Sequence, residues 1–309
     1  MPRYAYQTFD VFTDTRFGGN PLAVILDARG LDSETMLQIT REFNYSESTF
    51  VLPPKDPANT AHVRIFTPGG EVPFAGHPNV GTGYALARQG HALGVPVGDE
   101  LRFEEAAGLV VVNAIRDGGE VVGGIIRAPK TPIVCQPLDP AAVAPCASLQ
   151  TAEIVTAAHP PIRASVGLPF IVAEVASLPA LERSSPDAAA FTALGATLEP
   201  DDCGAIEFLG AYFYTRLPGQ PGAIRARMFS PFDGIVEDPA TGSAAGALGG
   251  LLGTLSGMDH GVLELAIDQG VEMGRPSRID VSVTMEGGAV QTVTIGGRCV
   301  AVMSGEIEA

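Results

Sequence analysis

No uninterrupted apolar run of about 18 residues occurs in the sequence, so it holds no segment suited to crossing a membrane as a helix. Positive charge is also scarce: 19 Lys and Arg stand against 35 Asp and Glu, a net charge of −16, with no basic run. That balance argues against nucleic acid and anionic membrane as partners. It also means that an anionic substrate needs a local field opposing the global one. The four cysteines, Cys135, Cys146, Cys203 and Cys299, are widely spaced, with no C-x-x-C pair and no neighbouring His. The expectation is scattered reduced thiols behaving as small hydrophobes, neither a zinc site nor a disulfide framework. H-E-x-x-H, G-x-S-x-G and Cys–His catalytic signatures are missing. The run GTGYAL at 81–86 has Leu where a dinucleotide fingerprint needs its third glycine, and no P-loop lysine is present. No metal and no cofactor is therefore expected. The opening MPRYAYQTFDVFTD lacks the charged-then-apolar pattern of a secretion signal, and a cytoplasmic location is expected.

What is present suits a folded protein of two domains: 309 residues, 46% of them hydrophobic. A Pro-rich stretch at 128–140 is the best boundary, giving halves at 1–128 and 129–309, with the last strand, Cys299–Val302, free to join either. Each half holds many β-rich runs and one Gly/Ala-rich apolar helix, which does not match alternating βαβ units. The expected class is α+β, with two pseudo-symmetric domains that each wrap a curved mixed sheet around a central helix.

Two distant stretches echo one another. Arg64-Ile65-Phe66-Thr67-Pro68 precedes His77-Pro78-Asn79-Val80-Gly81-Thr82, and Arg227-Met228-Phe229-Ser230-Pro231 precedes Asp238-Pro239-Ala240-Thr241-Gly242-Ser243. Each reads as a strand, a tight turn and a helix with Pro at its first position, placing His77 and Asp238 near the N-caps. Two half-sites facing one cleft are expected. A helix start offers unpaired N–H groups and the positive end of a dipole, so it binds a carboxylate without a basic side chain. Gly81-Thr82 and Gly242-Ser243 are the expected donors. Glu47, between a helix and an apolar strand, is expected to be partly desolvated, with a pKa raised toward neutrality, as suits a residue that takes and returns a proton.

The segments FDVFTDTRFGGNPLAV (9–24), NYSESTFVLP (44–53), FTPGGEVPFAGHPNVGTGYAL (66–86) and VEDPATGSAAGAL (236–248), taken in order, resemble the PhzF family. These are phenazine-biosynthesis isomerase-like proteins related to diaminopimelate epimerase. The resemblance covers essentially the whole chain and implies the diaminopimelate-epimerase-like fold, commonly dimeric, and a cofactor-free isomerase. It implies that Glu47 moves a proton between carbons of a small cyclic or unsaturated carboxylic acid. His77, Asp238 and Ser243 would line the pocket, and Gly76 and Gly242 would lie beside the substrate's carboxylate. Ser48 and Asn79 stand where the family often has Thr, which bears on pocket shape. The epimerase relatives use paired cysteines near these helix starts, and this chain has none there. Two other readings remain: a non-catalytic carboxylate-binding protein, and an amino-acid epimerase or racemase.

Overall fold

The structure, a computed structural model, describes residues 2–203, 210–232 and 235–309. The chain divides into two compact units, Met1–Arg127 with Gly296–Ala309, and Ala128–Ile295. In chain order the first supplies β1 (Arg3–Val11), β2 (Asn20–Ile25), α1 (Ser33–Phe43), β3 (Glu47–Leu52), β4 (Ala61–Thr67), β5 (Gly70–Val72), α2 (Gly76–Gln89), the small hairpin β6 (His91–Ala92) and β7 (Val95–Pro96), β8 (Glu100–Glu105), β9 (Gly108–Asp117) and β10 (Glu120–Arg127). The second supplies β11 (Ile133–Pro137), α3 (Pro140–Val143), β12 (Ile154–Val155), β13 (Ile162–Ser165), β14 (Pro169–Val175), α4 (Leu178–Glu182), α5 (Ala188–Gly195), β15 (Gly210–Arg216), β16 (Ala223–Ser230), β17 (Ile235–Asp238), α6 (Gly242–Leu255), β18 (Gly261–Gln269) and β19 (Ser277–Glu286). The closing strand, β20 (Ala289–Glu308), begins in the second unit and ends in the first.

In the first unit the strands pair in the cycle β1, β2, β3, β4, β8, β9, β10, β20 and back to β1, a closed eight-stranded barrel. The pairs β2–β3 and β4–β8 are parallel, and the other pairs with a described register are antiparallel, so the sheet is mixed. Helix α2 runs inside it, buried from Gly76 to Ala87. A helix can be enclosed on every side only if it has little polar surface and little bulk. Gly83 shows the constraint: a Cβ there would lie 2.4 Å from Val112 Cγ1.

The second unit repeats the scheme. A curved sheet follows the order β11, β13, β14, β15, β16, β18, β19, β20, with parallel pairs β14–β15 and β16–β18, and with β12 and β17 beside β14 and β16. It packs on α6, which is buried along most of its length. A Cβ at Gly249 would lie 2.6 Å from Val281 Cγ1. Both units therefore have the expected α+β form.

Several local expectations need correction. Helix α2 begins at Gly76 after the N-cap Ala75, so His77 and Pro78 are its second and third residues. Proline is tolerated there because first-turn N–H groups have no intrahelical acceptor. Helix α6 starts later, at Gly242 after the N-cap Thr241. Asp238 therefore ends a strand and precedes the helix by a short turn. Two β-rich runs of the sequence, Val290–Ile295 and Cys299–Val302, read as separate strands; they are one strand, β20, which passes through Gly296-Gly297 without a turn. A Cβ at Gly123 would lie 2.1 Å from the Gly297 carbonyl, so the glycines serve close strand approach. The apolar run Ile206–Thr215 also reads as a strand from its sequence; its residues 206–209 lie outside the described residues, and the rest belongs to β15. The strand β18 carried no expectation. Cys135 and Cys203 form a disulfide across a separation of 68 residues, against the reading of four reduced thiols; spacing that long leaves no local trace. No helix among the described residues is long and apolar enough to cross a membrane.

Candidate active site

The first unit's candidate residues begin where α1 ends. Asp32 caps that helix, accepting from the Thr35 N–H at 2.8 Å. Asn44 closes it in the left-handed region, φ 52°, a conformation Asn tolerates better than most residues. The chain thereby reverses and delivers Glu47 as the first residue of β3, in register with Leu22 of β2. The Glu47 side chain is 16% exposed, and its Oε2 lies 3.6 Å from His77 Nδ1. That separation is too long for a hydrogen bond. It is not an ion pair either, because burial pushes the His77 imidazole down to about 3, with the Pro21 carbonyl acting in the opposite sense. A neutral imidazole and a half-buried carboxylate thus share one face of the first α2 turn. His77 Nε2 has no hydrogen-bond partner among the described residues.

The second unit's candidate residues centre on Asp238, buried at the end of β17. Its Oδ2 accepts from the Thr241 hydroxyl at 2.5 Å. Gln269 holds the same turn: its Nε2 donates to the Asp238 carbonyl (2.8 Å) and to Thr241 Oγ1 (3.1 Å). Its Oε1 accepts from the Thr241 N–H (3.1 Å) and the Tyr212 hydroxyl (3.0 Å). Burial and the Asp238 charge push the Tyr212 hydroxyl up, so it stays protonated and donates. Glu237, the neighbouring carboxylate, is held at both oxygens by Arg227, at 2.7 and 2.8 Å. The first unit has the matching pair, Arg64 on Glu71 at 2.7 and 2.6 Å. Each guanidinium also lies 5.0 Å from the ring two residues on, Phe66 or Phe229. The echo seen in the sequence is thus a repeated physical unit.

The starts of α2 and α6 differ from those of the other α-helices among the described residues in one respect. Asp32, Asp139, Ser177 and Asp187 cap α1, α3, α4 and α5 with their side chains. Helices α2 and α6 have no side-chain cap. Ala75 has nothing to offer, and the Thr241 hydroxyl is given to Asp238. The N–H groups of Gly76 and His77, and of Gly242 and Ser243, are left in the position where helices bind anions. Gly81 and Thr82, expected as donors, sit farther along α2. A Cβ at Gly81 would meet Leu22 and Val11, and the buried Thr82 hydroxyl bonds Thr49 Oγ1 at 2.8 Å. Their place is in the barrel interior, and in the first unit the uncapped N–H groups are those of Gly76 and His77.

A family model described as phenazine biosynthesis-like protein matches residues 9–305. An uncharacterized isomerase of Mesorhizobium japonicum is 38% identical over 98% of both chains. The trans-2,3-dihydro-3-hydroxyanthranilate isomerase of Pseudomonas aeruginosa is 36% identical, again over 98% of both. The chain belongs to the PhzF family. A PhzF-family protein of Bacillus anthracis superposes with a TM-score of 0.85 at 26% identity, each chain covered completely. As a PhzF-family protein with relatives named isomerases along its whole length, it is an isomerase.

In this PhzF-family chain the sequence reading missed Thr241, Gln269 and Tyr212. Thr241 lay inside the echo, where its hydroxyl could have been read as a partner for the carboxylate three residues earlier. Gln269 and Tyr212 come from other strands and leave no motif. The sole cluster of potential metal ligands among the described residues is Cys135, Asp201 and Cys203. Its two sulfurs are bonded to each other, and Asp201 is paired with Arg163 at 2.7 Å.

Proposed function

We propose that this protein is a cofactor-independent isomerase that moves a proton between carbons of a small unsaturated or cyclic carboxylic acid, with Glu47 as the shuttle. The observation that carries this reading is the half-buried Glu47 carboxylate beside neutral His77, on a helix start whose N–H groups no side chain caps. Substrate carboxylate binds uncapped amides of the Gly76–His77 or Gly242–Ser243 type. Glu47 takes a proton from an acidified C–H and returns it to a neighbouring carbon. A neutral imidazole can donate to charge developing on the substrate without competing for the Glu47 proton. Asp238 and Ser243 are assigned to the same reaction on the echo between their segment and the first, with Pro and Gly at matching positions, and on the family resemblance. Variants in either unit are then expected to lower the same rate. A homodimer is proposed on the family resemblance.

Thiol-based racemisation has poor material here. Burial pushes both free cysteines, Cys146 and Cys299, up to about 12, so neither supplies a thiolate near neutral pH. The test uses trans-2,3-dihydro-3-hydroxyanthranilate, the substrate in the name of the Pseudomonas aeruginosa relative, together with other cyclic unsaturated acids in D₂O. Deuterium should enter at carbon, and Glu47→Gln should lower the rate about 10²–10⁴-fold, the usual contribution of a placed acid–base group. A Glu47→Gln enzyme that works at the wild-type rate would remove Glu47 from the chemistry. Tight binding without exchange would favour a carboxylate-binding protein.

A further inference from the structure

The second unit holds a line of buried polar groups that the proposed chemistry leaves unused. On the parallel pair β14–β15, Glu174 and Tyr214 are partners in register and share one face. His159, 4% exposed, packs beside them, its ring nearly parallel to that of Tyr214 with centroids 6.0 Å apart. Its Nδ1 lies 2.7 Å from the Pro160 carbonyl oxygen and its Nε2 2.8 Å from the Tyr214 hydroxyl. That hydroxyl lies 3.0 Å from Glu174 Oε2, and Arg216 Nε donates to Glu174 Oε1 at 3.1 Å. Tyr214 is fully buried, and His159 and Glu174 nearly so, so a contact left without a hydrogen is costly.

A carbonyl only accepts, so the Nδ1 contact needs a proton on the imidazole. Tyr214 has one hydroxyl proton and two neighbours, Nε2 on one side and a carboxyl oxygen on the other. With a neutral imidazole and an ionised Glu174, one of those two contacts has no hydrogen. Full pairing takes one more proton, on Nε2 or on the carboxyl. Arg216 decides its place, because a guanidinium beside Glu174 favours the carboxylate. Charges on the strands to either side, β13 and β16, are occupied: Arg163 by Asp201, Arg225 by Glu272 and Arg227 by Glu237. Register puts these three arginines on the opposite face from Tyr214. Glu153, just before β12, is held by Arg183. On the face of Tyr214 itself, Tyr212 gives its hydroxyl to Gln269, and Asp238 accepts from Thr241.

We infer that His159 is a proton-operated latch with Tyr214 as its moving part. Protonated, the imidazole donates from both nitrogens, to Pro160 and to Tyr214, and Tyr214 gives its own proton to Glu174. Every contact in the line is then made. When Nε2 loses its proton it becomes an acceptor. The Tyr214 O–H turns toward it, and Glu174 Oε2 loses that donor. One proton thus sets the direction of a buried hydroxyl, and with it whether the segment before β13 is tied through Tyr214 to Glu174. Acid tightens the tie and base loosens it.

The test is NMR of the intact protein with ¹⁵N in the histidine rings and ¹³C in the glutamate carboxyls, from about pH 5 to 9, the range in which histidine titrates. His159 and Glu174 are assigned through their own backbone signals. At the acid end both His159 nitrogens should carry protons. As pH rises the Nε2 proton alone should leave, and the Glu174 carboxyl signal should shift with the same midpoint. In Tyr214→Phe, which keeps the ring and removes the relay, the Glu174 signal should shift far less. A neutral His159 with its proton on Nε2, a ring that keeps one protonation state across the range, or a wild-type Glu174 signal that ignores His159 overturns the latch. So does a Glu174 response of equal size in Tyr214→Phe, since it then needs only charge at a distance. If that variant fails to fold, the wild-type tautomer and shared midpoint decide alone.

Discussion

At the scale of single residues, a turn is set by whichever polar groups find partners away from water. Gln269, fully buried, uses both ends of its amide on the Asp238–Thr241 turn and on Tyr212. Gln269→Leu keeps much of the volume and removes every one of those bonds. The Tyr212 hydroxyl and Thr241 N–H are then left without an acceptor, at about 1–3 kcal/mol for each group. Urea unfolding should show a lower midpoint with an unchanged slope, and turnover should fall because Asp238 is no longer held. An unaltered midpoint would mean that water replaces the amide without loss. Glu47 and His77 could be singled out as candidates because each sat in an anomalous sequence setting, and the structure brings their side chains within 3.6 Å. Gln269 could not, since a lone glutamine on a strand carries no such sign.

At the scale of elements, the echo strands β4 and β16 pose a controlled comparison. Arg227 and Glu237 are 8% and 14% exposed, whereas Arg64 and Glu71 are 18% and 37% exposed. Arg227 also donates to the carbonyls of Leu181, Glu182 and Ser184. Removing one partner of a buried pair leaves an uncompensated charge, at about 3–5 kcal/mol; a partly solvated pair is worth about 1 kcal/mol or less. Arg227→Ala should therefore destabilise far more than Arg64→Ala in parallel denaturation curves. Equal losses would show that burial does not distinguish the two. Both helices were legible from their small, apolar residues, and α1 from its Asp32 cap. Their starts were misread because Pro78 and Pro239 looked like first helical residues. In fact one is the third, and the other precedes its helix altogether. The β-rich runs on either side of Gly296-Gly297 likewise read as separate, since a sequence cannot show that glycine admits a neighbouring strand.

For the molecule entire, the chief surprise is covalent. The Cys135–Cys203 bond closes a loop across a separation of 68 residues, and removing such a bond typically costs about 2–5 kcal/mol. Thiol titration in denaturant without reductant should count the two free cysteines, Cys146 and Cys299, and reductant should lower the melting temperature. Four titratable thiols would restore the reading drawn from spacing alone. The fold class itself was legible because it rests on repeated pattern, while a cross-link between distant residues rests on geometry that only folding creates.

The β20 strand has a further bearing on how the protein is made. Its last stretch, Cys299–Glu308, is the antiparallel partner of β1, a strand synthesised nearly 300 residues earlier. Until residues 296–309 have been synthesised, the N-terminal barrel stays open along β1, a bare edge of the kind that invites pairing between nascent chains. The barrel that holds β1 is therefore sealed only after the whole of the second unit has been synthesised.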